Sequence, residues 1–144
     1  MIYWFTGQPG AGKTVLSKAL KEYLEINHHK NVMHVDGDDI REIFNNKDYS
    51  KEGRYKNIIL AQQIAKFLHL KGFDVVVSLV SPYRELRESF KKELGNQVKE
   101  LYTHTTEVRG REQYHSPDYE PPTTNFTDID TTNCSVTECI NKIL

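Results

Sequence analysis

Hydrophobic positions along the chain form short apolar runs that alternate with longer amphipathic stretches. Ile2-Tyr3-Trp4-Phe5, rich in aromatic and β-branched residues, predicts a buried strand over residues 2–6. Val15, Leu16, Ala19, Leu20, Tyr23 and Leu24 then recur at helical spacing, and Asn27-His28-His29-Lys30 ends that helix. Asn31–Val35 reads as a second strand, and residues 45–53 are polar and turn-rich. A helix is expected from about Arg54 to Leu70, with Ile58, Leu60, Ala61, Ile64, Ala65, Phe67 and Leu68 as its apolar positions and Lys71-Gly72 as its stop. Val75–Val80 is the most apolar run, as expected for a strand buried on both faces of a parallel sheet. Ser81 suits an N-cap and Pro82 a first helical position for a helix reaching Leu94. Val98–Thr103 and Phe126–Asp130 read as further strands, separated by residues 104–125, which lack periodicity. Ser135-Val136-Thr137-Glu138 is a capping box before a final helix through Leu144. The order β-α-β-α-α-β-α-β-loop-β-α predicts a three-layer α/β/α fold with a five-stranded parallel sheet, as one domain over residues 1–144.

Composition narrows the function classes. Of 144 residues, 38% are hydrophobic and 27% charged, and the net charge of −1 gives no global field for nucleic acid or anionic membrane. Anion binding must therefore come from a local site. The longest apolar run is too short to cross a bilayer, and Met1 leads directly into a strand-like run rather than a signal peptide. A cytoplasmic protein with free thiols is expected. Cys134 and Cys139 match no zinc spacing and are not expected to face each other on a helix; both suit an apolar environment.

The chemistry enters at the end of the first strand. Gly7-Gln8-Pro9-Gly10-Ala11-Gly12-Lys13-Thr14 is a complete G-x-x-x-x-G-K-[ST] loop between a strand and a helix. Glycines turn backbone N–H groups toward phosphate oxygens, and the helix start adds further donors. Lys13 would reach the β- and γ-phosphates, and the Thr14 hydroxyl would hold Mg²⁺. The implied fold is that of the P-loop NTPases, nucleoside-kinase-like, with ATP or GTP as donor. Asp36-Gly37-Asp38-Asp39-Ile40-Arg41 follows the second strand, at the edge where open α/β sheets bind ligands. Asp36 and Asp38 are placed to organise Mg²⁺ or take a proton from a hydroxyl, while Asp39 suits a helix N-terminal charge. Ser81-Pro82-Tyr83-Arg84 opens at a third strand end into the same crevice, where Tyr83 and Arg84 are candidate ligand contacts. The long segment 104–125 has the length of a functional loop or lid.

These motifs together resemble the adenylyl-sulfate kinase family. The resemblance is carried by Phe5–Thr14, Asp36–Arg41, Gly53-Arg54-Tyr55-Lys56-Asn57-Ile58, Ser81–Arg84, Tyr119-Glu120-Pro121-Pro122, Ile129-Asp130-Thr131 and Ser135–Cys139. It implies transfer of the ATP γ-phosphate to the 3′-hydroxyl of adenosine 5′-phosphosulfate, with sulfate assimilation as the setting and small nucleotides, not nucleic acid, as partners. Asp36 would then be the base or the magnesium-organising acid, with Asp38 beside it. Arg41, Arg54 and Asn57 would contact the acceptor, Tyr49 would pack on it, and Ser81 would line its side of the crevice. Relatives tend to dimerise, so a homodimer is an expectation. The chain departs from the family in starting at the first strand, in having Ile59 and Leu60 where arginines usually stand, and in a shorter stretch between Thr105 and Asp118. Arg109 and Arg111 are candidates to replace the positive charge of the missing lid elements. Two alternatives remain open: a kinase of this fold for another nucleotide or small-molecule hydroxyl, and an ATP-binding regulatory module without catalysis.

Overall fold

The structure, a computed structural model, describes residues 1–144. Five strands, β1 (Ile2–Thr6), β2 (Val32–Asp36), β3 (Asp74–Ser78), β4 (Val98–His104) and β5 (Thr127–Asp130), form one parallel sheet in the order β2-β3-β1-β4-β5. Helices α1 (Lys13–His28), α2 (Gly37–Ile43), α3 (Lys51–Leu70), α4 (Arg84–Leu94) and α5 (Val136–Ile143) connect and cover it. Strand alternation sorts the core into two layers. Ile2, Trp4, Val75 and Val77 pack with Ile58, Ala61 and Ala65 of α3 and Phe90 of α4. Phe5, Val76, Leu101 and Ile129 face the other way, onto Leu16, Leu20 and Leu24 of α1 and Ile140 and Ile143 of α5. The expected three-layer architecture and element order are therefore present. No helix is long and apolar enough to cross a membrane.

Several local expectations need correction. Helix α1 begins at Lys13, and the register this sets turns Val15 outward, 58% exposed, instead of onto the apolar face. Helix α3 begins before Arg54, because the Ser50 hydroxyl accepts from the Gly53 N–H and caps it; Phe67 lies on its exposed side. Ser81 is not a cap. It sits at φ 48°, its carbonyl accepts from Thr6 and Arg87, and α4 starts only at Arg84, after an extended Tyr83. The capping box before α5 forms, with the Ser135 hydroxyl accepting from the Glu138 N–H. Cys134 precedes that helix, so the two thiols do meet, with Sγ atoms 3.0 Å apart. They occupy the two positions, before the cap and one turn in, where a hydrophobic staple forms.

Candidate active site

The carboxyl ends of β1, β2 and β3 open into one cavity of about 1030 Å³. Its lining includes Pro9, Gly10, Gly12, Lys13 and Thr14 of the phosphate loop, then Asp36, Asp38, Arg41, Tyr49, Arg54, Asn57 and Ser81. Gly7, Gln8 and Ala11 do not line it. Gly7 lies against β4: a Cβ there would stand 2.1 Å from the Thr103 carbonyl oxygen, so only glycine lets loop and sheet approach this closely. Gly10, at φ 85°, carries the loop under the β4–β5 segment, with the Arg111 side chain 3.0 Å from where its Cβ would be.

Lys13 is almost fully buried and donates to the Gln8 carbonyl at 2.9 Å, curling the loop around its own ammonium. Burial pushes its pKa down to about 8, against the opposing pull of Asp36. Thr14 is exposed at the start of α1. Asp36 ends β2 and caps α2. One oxygen accepts from the Asp38 N–H at 3.1 Å and the other from the Ser78 hydroxyl at 2.8 Å. Ser78 in turn lies 2.8 Å from the His34 ring, whose pKa burial lowers. Asp36 therefore has a fixed orientation, whereas Asp38 and Asp39 stand exposed in the first turn of α2.

The cationic side of the cavity is already engaged. Arg41 donates to the carbonyls of Asn46 and Asp48 and stacks 4.0 Å over the Tyr49 ring. Arg54 reaches Ser116 and Asp118. Asn57 is buried and donates to the Gly37 carbonyl, while its Oδ1 has no partner. The Ser81 hydroxyl is also buried and unpartnered. Tyr83 and Arg84 lie outside the cavity: Tyr83 is packed in the core, and the Arg84 guanidinium donates to the Pro121 carbonyl.

The segment after β4 folds back over the phosphate loop. Arg109 donates to the Gly10 and Thr131 carbonyls and to Glu107, which fixes the segment in place. Arg111 reaches the cavity with no carboxylate partner, its guanidinium 5.3 Å from the Tyr114 ring. Two supports escaped the sequence reading. Ser78 interrupts the apolar run that became β3, and that interruption was its only signal. Glu100 is buried with Arg87 at 2.7 Å and Lys91 at 2.6 Å, and these cations also hold the carbonyls of Ser81, Glu120, Thr124 and Asn125. Nothing in the local sequence pairs these distant charges. No cluster of three or more His, Cys, Asp or Glu side chains is arranged to hold a metal.

The family profile described as Adenylylsulphate kinase matches residues 1–120. Cytidine diphosphoramidate kinase from Campylobacter jejuni is 37% identical over 95 residues, covering 66% of this chain and 55% of that protein. The adenylyl-sulfate kinase of Picosynechococcus sp. is 33% identical over 160 residues, covering 98% of this chain and 89% of that protein. Among solved structures, the Mycobacterium tuberculosis APS kinase CysC in complex with AMPPNP and APS superposes with a TM-score of 0.80 at 22% identity, covering 99% of this chain and 94% of that one. The hexameric APS kinase from Thiobacillus denitrificans gives 0.79 at 25% identity, with 99% of this chain matched to 27% of that one.

Proposed function

The chain belongs to the adenylylsulphate kinase family, and from that premise we propose that it transfers the γ-phosphoryl group of ATP to the ribose 3′-hydroxyl of adenosine 5′-phosphosulfate. The observation that carries this reading is the placement of one oriented carboxylate, Asp36, in the same cavity as Lys13 and Thr14 on one side and Arg41, Arg54 and Asn57 on the other. Donor and acceptor groups of opposite demand thus share one enclosure, and such phosphoryl transfer depends mostly on positioning and charge stabilisation.

In this reading the phosphate loop wraps the ATP phosphates and Lys13 leaves the Gln8 carbonyl for their oxygens. Arg111, over the loop and without a carboxylate partner, adds charge at the same phosphates. Asp36, held by Ser78 and the Asp38 N–H, takes the proton of the acceptor hydroxyl as the new O–P bond forms and the bond from the γ-phosphorus to the bridging oxygen breaks, releasing ADP. The arginines suit a phosphosulfate because each offers a planar fork of donors. The residues fit Mg²⁺ arriving with the nucleotide: Thr14 would supply a hydroxyl ligand and Asp36 would organise the ion through its water shell, and a dedicated cage of carboxylates is absent. When bound, Mg²⁺ would neutralise charge on the β- and γ-phosphates.

A second reading has a specific observation behind it. Arg41 already occupies one face of the Tyr49 ring at 4.0 Å, and one of the related proteins is a cytidine diphosphoramidate kinase. The acceptor would then be a different nucleotide with a 5′-anhydride. The test is incubation of the purified chain with MgATP and either adenosine 5′-phosphosulfate or cytidine diphosphoramidate, following ADP and phosphorylated nucleotide by chromatography. Preferred turnover of the phosphosulfate, lost in Asp36→Asn, is the expected result. Preference for the cytidine compound would replace the first reading by the second, and absence of product from both at high protein concentration would reject transfer altogether.

A further inference from the structure

Arg54 is the one acceptor-side cation whose partner is a carboxylate of the protein itself. Its Nη1 lies 3.0 Å from Asp118 Oδ1 and 2.8 Å from the Ser116 hydroxyl, and its Nη2 lies 3.4 Å from Asp118 Oδ2. Its Nε is buried and has no acceptor. An unpaired buried donor is unfavourable, and a carboxylate on the Nη edge does not reach it. A phosphate or sulfate group, with three oxygens around a tetrahedral centre, can engage Nε and an Nη together. The segment bearing Asp118 is meanwhile tied to the donor loop. Gln8 Nε2 donates to the Ser116 carbonyl at 2.9 Å and Gln8 Oε1 accepts from the Ser116 N–H at 2.8 Å. The Ser116 hydroxyl also donates to Asp118, so one residue joins the phosphate loop, the acceptor arginine and the carboxylate.

We propose, on the premise that Arg54 is an acceptor ligand, that Asp118 is a resident competitor for that arginine and thereby a specificity residue. The anionic 5′-group of the acceptor must displace the Asp118 carboxylate, satisfying the Nε that Asp118 leaves unpaired. Acceptors with a multidentate oxyanion make this exchange at little loss, because one charge-assisted pair replaces another. Neutral sugar alcohols leave the Arg54–Asp118 pair intact and gain nothing from the arginine. The carboxylate thus selects against uncharged hydroxyl compounds while reducing affinity for the true acceptor. Its effect is that of a partly exposed ion pair, 26% and 41% exposed on its two side chains, so its removal should tighten oxyanion binding by about two- to fivefold.

The experiment measures equilibrium binding of adenosine 5′-phosphosulfate to the ADP-loaded protein by calorimetry, for wild type, Asp118→Asn, Ser116→Ala, Arg54→Gln and the Arg54→Gln/Asp118→Asn pair. Asp118→Asn is expected to bind about two- to fivefold tighter, and Ser116→Ala to tighten by about twofold, since it loosens the carboxylate while the backbone clasp to Gln8 remains. Arg54→Gln is expected to weaken binding by about tenfold or more, and adding Asp118→Asn to it should restore nothing. If both Asp118→Asn and Ser116→Ala bind as wild type or more weakly while Arg54→Gln loses affinity, the competitor role is refuted and the acceptor assignment stands. If Arg54→Gln binds as wild type, the acceptor assignment falls and the competitor role with it. Should Asp118→Asn fail to fold, as read by its thermal transition, Ser116→Ala decides.

Discussion

Lys13→Met should make the empty protein more stable while abolishing its chemistry. The Lys13 side chain is 8% exposed, and burial lowers its pKa from 10.5 to about 8. At 1.36 kcal/mol for each tenfold change in proton affinity, holding the ammonium in this site costs about 3 kcal/mol when it is charged. Methionine has similar reach and removes that penalty, but it also removes the hydrogen bond to the Gln8 carbonyl, worth about 1 kcal/mol. The net expectation at pH 7 is a gain of about 2 kcal/mol in unfolding free energy. The pH dependence carries the same signature. Between about pH 8 and 10.5 the unfolded chain binds the lysine proton and the folded chain does not, so wild-type stability rises with pH in that window. Below about pH 8 the full penalty is present; above it, the advantage of Lys13→Met should shrink and finally reverse by the lost hydrogen bond. Urea unfolding of both proteins at pH 7, 8, 9 and 10 measures this, and titrating groups remote from Lys13 cancel in the difference. In parallel, kcat/KM for ATP in wild type should fall about tenfold per unit above pH 8, because that ratio reports the free enzyme. Lys13→Met being less stable than wild type at pH 7, or a difference that does not change with pH, would refute the electrostatic account of the loop.

Glu100→Gln should destabilise the fold by about 3–5 kcal/mol in urea unfolding, because Arg87 and Lys91 keep their buried charges without a carboxylate between them. The pair Arg87→Met/Glu100→Leu should cost less than Glu100→Gln alone, and the reverse order would show that the network is held by packing instead. Ser78→Ala should lower kcat by about tenfold with KM for ATP unchanged, since it frees one Asp36 oxygen without touching the donor site; a change in KM alone would place Ser78 in donor binding. Gly10→Ala should lower stability by about 1–3 kcal/mol in thermal or urea unfolding, because φ 85° suits glycine and the new Cβ meets Arg111 at 3.0 Å.

The architecture was legible because the strands carry apolar patterns and the two longest helices periodic ones, while caps and turn residues marked the shorter helices. The phosphate loop was legible because its glycines and its Lys-Thr pair are contiguous. Boundaries failed where a tertiary contact overrode a local preference. Ser81 has the chemistry of a cap, yet Arg87 and Thr6 hold its carbonyl and the helix starts only after an extended Tyr83. The cysteines were misread because the helix starts between them. The side of the cavity proposed for the acceptor was legible only as a set of residue types: Arg41, Arg54 and Asn57 are brought to one cavity, but their present partners come from as far along the chain as Asp118. The Arg87–Glu100–Lys91 network left no local trace, because each member reads alone as an ordinary helix or strand charge.

That pattern of partners has a consequence for how the site would work. Lys13 is satisfied by the Gln8 carbonyl, Arg41 by the Asn46 and Asp48 carbonyls, and Arg54 by Asp118 and Ser116. Three of the cations lining the cavity therefore have internal stand-ins for the oxygens of a substrate. Binding then exchanges protein oxygens for substrate oxygens, and only the difference between the two sets contributes to affinity. The exchange is unequal across the cavity. Lys13 and Arg41 give up neutral carbonyls for charged oxygens, a gain in strength. Arg54 gives up a carboxylate and gains mainly through its unpaired Nε. Of the two arginines proposed for the acceptor, Arg54 should therefore contribute less than Arg41 to binding its anion. If Arg54 binds the acceptor, as proposed, it is the point at which the segment carrying Asp118 can set which hydroxyl compound is accepted.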